Sequence, residues 1–279
     1  MAPAVAAVPA KMHPFKVFAA VQNSHRHLLW EMTKRDLSSR YKGAHLGMLW
    51  AVLLPLAMLG IYSYVFGVVF KSRWDGPGAS DFPFPLVLFA GLIVFNFFAE
   101  CVNRAPTLVS SSPNLVKKSV FPLEILPWMT VFTAGINSSI SIAILLIGEW
   151  LWVGHVPLTA VLFPLMLVPV AFVSLGVSWF LASLGVYVRD VAQLVGLVTT
   201  ALLFFTPIFY PPTNVPEALR GFAAFNPLAA QVQSMRDVLL WGRLPNIAAF
   251  LTALLVGWVA AWIGFVWFSN TSDGFADVL

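Results

Sequence analysis

Residues 46–70 read LGMLWAVLLPLAMLGIYSYVFGVVF, a stretch without a single Asp, Glu, Lys, Arg or His. About 20 apolar residues in an α-helix cross the roughly 30 Å hydrocarbon core of a bilayer, so this stretch is long enough to span one. Inside lipid, a helix satisfies all of its own backbone hydrogen bonds. The stretch therefore predicts a transmembrane helix.

Five more uncharged stretches of spanning length follow along the chain: Phe82–Ala99, Ile125–Gly148, Val156–Val188, Val191–Pro216 and Leu244–Ser272. The whole sequence is 59% hydrophobic and 10% charged, whereas soluble domains carry about 25% charged residues. We predict an all-α membrane protein with six transmembrane helices. The fourth stretch contains Pro157, Pro164 and Pro169, so we expect its helix to begin late or to be kinked.

Lys and Arg are distributed unevenly between the predicted connections. With the N-terminus inside, the inner segments carry eleven of them: Lys11, Lys16, Arg26, Lys34, Arg35, Arg40, Lys42, Arg104, Lys117, Lys118 and Arg189. The outer segments carry five: Lys71, Arg73, Arg220, Arg236 and Arg243. Cytoplasmic loops carry the excess of such residues. We predict a multi-pass protein of the cytoplasmic (inner) membrane with both termini cytoplasmic; the net charge of +4 requires no nucleic acid.

The predicted spans divide the chain into regions. Residues 1–23 are expected to be a flexible N-terminus, 24–45 a cytoplasmic interface helix, 46–272 the transmembrane domain and 273–279 a cytoplasmic tail. An apolar arc on the interface helix indicates an amphipathic helix lying on the membrane; the alternative is a solvated basic cap. The arc contains Leu29, Trp30, Thr33, Leu37 and Tyr41, and Arg40 interrupts it.

Two connections differ from simple turns. The inner loop 104–124 contains serines, prolines and two lysines, and is the expected coupling loop. The outer region 207–243 combines prolines with apolar residues, so we expect short re-entrant helices before the last span.

Several kinds of chemistry are missing from the sequence. No Gly-Lys dipeptide occurs, so no phosphate-binding loop for ATP is present, and neither a zinc-protease motif nor a nucleophile elbow is found. Cys101 is the only cysteine. We therefore predict no catalytic residue, no metal site and no cofactor in this chain.

Three segments carry a resemblance to a known family. Residues 35–55 read RDLSSRYKGAHLGMLWAVLLP, residues 114–127 read NLVKKSVFPLEILP, and the third combines Arg189-Asp190 with Thr206-Pro207-Ile208, Tyr210-Pro211, Asn226-Pro227-Leu228 and Arg236. In this order, on six spans, they resemble the permease subunits of type-2 ABC transporters that export polysaccharides such as O-antigen, capsule or teichoic acid.

This resemblance implies a half-transporter. Two copies of the chain would form a path for a lipid-linked polysaccharide through the membrane lipid, and two copies of an ABC ATPase subunit would bind ATP and Mg. One alternative is an ABC permease for a drug or haem. Another is a secondary transporter, which would need ionisable residues in mid-span, and none of the six stretches contains one.

Candidate residues for coupling to the ATPase lie in the predicted inner segments. They are Arg35, Asp36, Arg40, Lys117, Lys118, Glu124, Arg189 and Asp190. Their charges offer complementarity to a partner. The alternative roles are contacts to anionic lipid headgroups and anchoring of the topology.

Aromatic and proline residues mark the predicted outer half. Flat aromatic walls suit the apolar faces of sugar rings, and the candidate lining residues are Tyr62, Tyr64, Phe66, Phe70, Phe204, Phe205, Phe209 and Tyr210. The candidate outer gate contains Pro207, Pro211, Asn226, Pro227 and Arg236. Packing is the alternative for each aromatic residue, and a static plug is the alternative to the gate.

Charged residues also lie at the ends of the uncharged stretches. We expect Glu100 and Glu149 to be hydrated there, and Glu100 to pair with Arg104 four residues on.

Overall fold

The computed structural model describes residues 26–74, 82–116, 121–215 and 226–279, and the regular structure within these ranges is helical throughout. The α-helices are α1 (Arg26–Arg40), α2 (Trp50–Tyr62), α3 (Phe84–Arg104), α4 (Pro113–Val116), α5 (Ile125–Val153), α6 (Phe163–Tyr187), α7 (Val191–Phe205), α8 (Pro227–Leu239), α9 (Ile247–Thr271) and α10 (Phe275–Val278). A π-helical segment, Ser63–Val69, continues α2. Single 3₁₀ turns are Gly47–Leu49, Ala105–Thr107, Leu158–Leu162, Pro212–Asn214 and Ser272–Gly274.

Five helical stretches are long and apolar enough to cross a membrane: Gly47–Val69, Phe84–Thr107, Ile125–Val153, Leu158–Tyr187 and Ile247–Val278. The all-helical membrane class is therefore confirmed. The predicted fifth span is represented by a shorter apolar helix, α7. It ends because Thr206 is extended, with φ −86° and ψ 133°, and a residue before proline is disfavoured in the helical region.

Helix α6 begins late, as its prolines predict. Pro157 is extended, a 3₁₀ turn follows, and α6 starts only at Phe163 with Pro164 in its first turn. Proline is tolerated there because its missing N–H would have no partner in the first turn of a helix. Pro169 lies inside α6, which nevertheless continues to Tyr187.

Helix α3 forms the centre of the bundle. Of its most apolar stretch, 83% is buried inside the chain, against 6% for the stretch that contains α2. Helices α6 and α9 pack backbone to backbone, since a methyl group on Gly176 or Gly264 would collide with the carbonyl oxygen of Ala260 or Gly176. Small residues permit this close approach between membrane helices.

The two ends of α3 define the two ends of the molecule. We call the end with Glu100 and Arg104 the charged end, and the end with Val87 the aromatic end. Helix α1 lies at the charged end, where Leu29 packs with Ile125 and Met129.

The end of the chain also lies at the charged end. Ser183 of α6 contacts Thr271, and Phe275 of α10 is buried against Phe268 with the ring of Tyr187 close by. The region predicted as a tail, 273–279, thus includes a helical turn packed onto α6 and α9.

Candidate functional site

A cluster of ionic side chains joins α1 to α3 at the charged end. Nη1 and Nη2 of Arg104 donate to the two carboxylate oxygens of Asp36 over 2.9 and 2.5 Å. Arg40 pairs with Glu100 and also lies 3.4 Å from Asp36. Asn137 of α5 donates to both oxygens of Glu100, over 3.2 and 3.1 Å. We name these five residues the ion cluster.

The charges of the ion cluster stabilise one another. Burial alone would raise the pKa of Asp36, but the hydrogen bonds and charge of Arg104, followed by the charge of Arg40, outweigh it and hold the pKa below its ordinary value. The four ionic side chains retain between 11% and 30% of their surface. The cluster is therefore electrically balanced and only partly withdrawn from solvent.

The predicted local pair between Glu100 and Arg104 is wrong. Although the two lie one turn apart, each pairs with a residue of α1 instead. The predicted arc of α1 is correct in part: Leu29 and Thr33 are buried, whereas Trp30 is exposed beneath the ammonium of Lys34. Arg40 interrupts the arc because it pairs with Glu100.

The remaining candidate coupling residues are distributed around the same end. Arg35 is exposed on α1, and Arg189 and Asp190 are exposed in the turn between α6 and α7. Glu124 precedes α5, and its carbonyl oxygen accepts from the indole of Trp179 over 3.2 Å. Lys117 and Lys118 lie outside the described residues. Contact with an ATPase stays a prediction for all of them.

The two predicted groups of aromatic residues meet at the aromatic end. Phe66, in the π-helical segment, lies between the rings of Tyr62, Phe70, Phe84 and Phe209, at centroid distances of 5.5 to 6.4 Å. Phe209 stacks on Phe204 at 5.8 Å, and the hydroxyl of Tyr210 donates to the carbonyl of Phe204. π-Helical segments occur frequently at functional sites.

Exposure divides these aromatic residues into two sets. Tyr62, Phe66 and Phe209 are partly buried and pack against the core. Tyr64, Phe70, Phe204 and Phe205 keep more than half of their surface accessible. The first set agrees with packing, while the rings of the second set are exposed on the surface of the chain. Which residues line a path stays a prediction.

Arg236 is fully buried at the aromatic end. Its Nε donates to the carbonyl of Val87 at 3.0 Å, Nη1 to that of Pro207 at 3.0 Å, and Nη2 to that of Ile208 at 2.9 Å. Its guanidinium also lies 4.3 Å from the ring centre of Trp74. Arg236 thus joins α8 to α3 and to the break after α7.

The other candidate gate residues surround this contact. The side-chain oxygen of Asn226 accepts from the Leu228 N–H and caps α8, while its nitrogen donates to Thr206 over 2.9 Å. Pro227 occupies the first position of α8. Pro211 is extended and leads into a 3₁₀ turn. Three of the five candidates, Pro207, Asn226 and Arg236, are therefore hydrogen-bonded at or beside the break.

Glu149 is a residue whose environment the sequence did not indicate. It was expected to be hydrated, but it is fully buried, because α5 continues past it to Val153. Neither carboxylate oxygen has a hydrogen-bond partner among the residues that the structure describes. The sequence did not indicate that α5 continues beyond the end of the uncharged stretch.

A bundle of long apolar helices, with the ion pairs of the described residues gathered at one end, defines a membrane-embedded protein. The chain belongs to the ABC-2 type transporter family, which it matches over residues 27–240. Permeases of this type are the membrane component and work with a separate ATPase partner.

Curated relatives share most of this chain. It is 28% identical over 261 residues to an O-antigen export system permease protein RfbA of Myxococcus xanthus, covering 91% of this chain and 95% of the relative. A Klebsiella pneumoniae protein of the same name is 26% identical over 254 residues, with coverages of 90% and 95%. The polysialic acid transport protein KpsM of Escherichia coli is 23% identical over 213 residues, with coverages of 75% and 79%.

Proposed function

We propose that this chain is the transmembrane subunit of an ATP-driven exporter that moves a lipid-linked polysaccharide, of the O-antigen kind, across the cytoplasmic membrane. The observation that carries the proposal is the exposure of four aromatic rings near the aromatic end, those of Tyr64, Phe70, Phe204 and Phe205. Flat rings let sugar faces slide past without one tight binding point. The names of the relatives point to the same class of cargo.

Six crossings fit the positions of the helices. Helices α1 and α10 both lie at the charged end, so the chain between them crosses an even number of times. The five long stretches supply an odd number, and α7 supplies the sixth. At about 1.5 Å per residue its 15 residues reach about 22 Å, and the extended residues after it add length. The positive-inside rule supports a cytoplasmic position for the charged end.

A second copy of this chain is the natural cover for α2. Only 6% of its apolar stretch is buried, and α7 also exposes apolar residues, including Leu197 and Phe204. We propose a homodimer in which these helices enclose the path, bound to two ATPase subunits that hold ATP and Mg. Native mass spectrometry of the purified complex tests this stoichiometry; a single permease copy per complex contradicts it.

The proposed contacts to the ATPase include four residues in connections or on α1 at the charged end, Arg35, Glu124, Arg189 and Asp190. Lys117 and Lys118, in the predicted coupling loop, complete the set. Reversing both lysines to Glu should weaken co-purification of the ATPase. Reversal of Lys71, which lies after the π-helical segment toward the opposite end, is the matched control. Undiminished co-purification of the Lys117/Lys118 variant removes the coupling loop from the proposed contact.

The outer gate is proposed to open beyond Ile208, since Arg236 ties the preceding residues to α3. The rings of Phe66 and Phe209 lie 6.2 Å apart, so cysteines at these positions, with Cys101→Ser, lie within reach of a cleavable thiol cross-linker and test the gate. Cross-linking should stop export, and cleavage of the cross-link should restore it. Export that continues in the cross-linked protein would mean that this region is a static plug.

The cargo is tested in cells from which the gene has been deleted. We expect surface polysaccharide to disappear and lipid-linked glycan to accumulate inside, with both restored by the wild-type gene. Ala at Tyr64, Phe70, Phe204 and Phe205 should slow export at unchanged membrane abundance. The control replaces Phe132 and Trp262, exposed aromatic residues of α5 and α9. Normal surface glycan in the deletion strain would favour a small-molecule cargo instead.

A further inference from the structure

The ion cluster reaches across two helices in a pattern that fixes their relative position. Asp36 and Arg40 are one turn apart on α1, and Glu100 and Arg104 are one turn apart on α3. The acid of each helix pairs with the arginine of the other. A shift that set Asp36 against Glu100, or Arg40 against Arg104, would bring like charges together, which is repulsive. The pairing therefore specifies both the direction and the register of α1.

A second contact holds the other half of α1. Leu29 packs against Leu108, just after α3, and against Ile125 and Met129 in the first turns of α5. Thr33 between the two contacts is buried. Because α1 is attached near both of its ends, it has no free end about which to pivot against α3 and α5.

The ion cluster also connects to α5, and it contains a bidentate ion pair although its side chains are partly exposed. Asn137 links Glu100 to α5, so the contact joins three helices. A bidentate bond between arginine and a carboxylate, as between Arg104 and Asp36, has a fixed geometry and is stronger than a single ion pair. The outward side of α1 presents Arg35 instead, which is exposed.

We propose that the ion cluster makes α1 one rigid body with α3 and α5, so that a displacement of α1 by the ATPase moves these two spans directly. Asp36 and Arg40 then act as positioning residues within this chain, while Arg35 is left to face the partner. The proposal rests on the proposed function only in naming the ATPase as the source of the displacement; the attachment itself is a property of the permease.

An exchange of charges tests the attachment of α1 to α3 without any measurement of export. Asp36→Arg and Arg104→Asp should each raise the rate at which a protease that does not cut at arginine cleaves α1 of the purified permease, by about tenfold, because each leaves a partly buried charge without its partner. The double exchange restores an opposite pair and should recover part of the resistance, since the new arginine then lies beside Arg40. Ser38→Asp, at an exposed position of α1, is the matched control and should leave the rate unchanged. No recovery in the double exchange overturns the pairing.

A cross-link tests the rigid body in the working transporter. Asp36→Cys and Arg104→Cys, in a Cys101→Ser background, are joined by a short bis-maleimide. If α1 moves together with α3, the cross-linked complex keeps ATP hydrolysis and export near the level of the uncross-linked variant. If α1 must detach, cross-linking abolishes both, and the proposal is overturned. Failure of the polysaccharide assignment would appear separately, as absence of glycan export by the wild type.

Discussion

The two ends of α3 hold arginine in different ways. At the charged end, Arg104 and Arg40 face carboxylates and keep 30% and 24% of their surface. At the aromatic end, Arg236 is fully buried and donates to three backbone carbonyls beside the ring of Trp74. Water can replace a partner that a substitution removes at the charged end, because the side chains there keep part of their exposure. The carbonyls around Arg236 belong to buried residues, so the rigid contact at the aromatic end should tolerate substitution less.

The largest difference between the ends should come from removing the buried arginine. Gln is shorter than Arg and cannot donate to the carbonyls of Val87, Pro207 and Ile208 together, and each buried acceptor that Arg236→Gln leaves unpaired costs about 1–3 kcal/mol. We expect the membrane abundance to collapse and the thermal midpoint of the purified chain to fall. Arg73→Gln, at an exposed arginine beside Trp74, should leave both nearly unchanged. A normally abundant Arg236→Gln protein would contradict this rigid contact.

A smaller effect is expected from crowding the same arginine. A methyl group on Gly91 would lie 2.8 Å from Nη2 of Arg236 and 3.2 Å from Val232. Overpacking of this kind costs about 1–3 kcal/mol, so Gly91→Ala should lower the thermal midpoint. Gly196→Ala in α7 is the control, since nothing lies within 4 Å of its new methyl group. If both variants melt alike, α3 and α8 are not packed as described.

At the charged end, removal of one charge should have a weaker effect. Glu100→Gln takes the ionic partner from Arg40, but Arg40 remains within 3.4 Å of Asp36 and partly in solvent. We expect a loss of about 1 kcal/mol, since exposed and half-exposed pairs contribute little. Glu31→Gln, in a surface pair with Lys34, should have less effect still. Unfolding by urea in mild detergent measures both, and a Glu100→Gln loss equal to that of Arg236→Gln would erase the contrast.

The smallest effect is that of pH on the ion cluster. The pKa of Asp36 lies below its ordinary value of about 3.9, so its stabilising contribution is complete above that pH and is lost as the pH falls through the lowered pKa. The stability difference between wild type and Asp36→Asn should be constant from pH 6 to 8 and shrink toward pH 3. A change within the neutral range would indicate another titrating group.

The helices were predictable to the extent that they depend on local composition. The uncharged stretches predicted the positions of the five long helices. The prolines of the fourth stretch predicted that its helix begins late, as it does. The stretch Val191–Pro216 predicted a full span, but the helix stops at Phe205. Pro207 restricts Thr206 locally, and that restriction can be read from the sequence. The hydrogen bond from Asn226 to Thr206 cannot, because Asn226 lies 20 residues further along the chain.

The site was predictable by residue type and not by pairing. The sequence predicts Arg35, Asp36 and Arg40 together as coupling residues, but in the structure only Arg35 faces outward. The nearest charged neighbour of Glu100 along its helix is Arg104, and the structure pairs both with residues of α1, 60 or more residues earlier. Arg236 was assigned to a gate, and nothing in the sequence indicated that backbone carbonyls would take the place of an acidic partner.

By itself, the sequence determined that this chain folds as apolar helices in a membrane, because a long stretch without charged residues can cross the hydrocarbon core of a bilayer as a helix. It also carried the family likeness, through short motifs. Only the tertiary structure decided which charges neutralise one another, which aromatic rings stay open and how one arginine is buried. Those choices depend on contacts between residues distant in the chain, and a helix cannot specify in its own sequence what will pack against it.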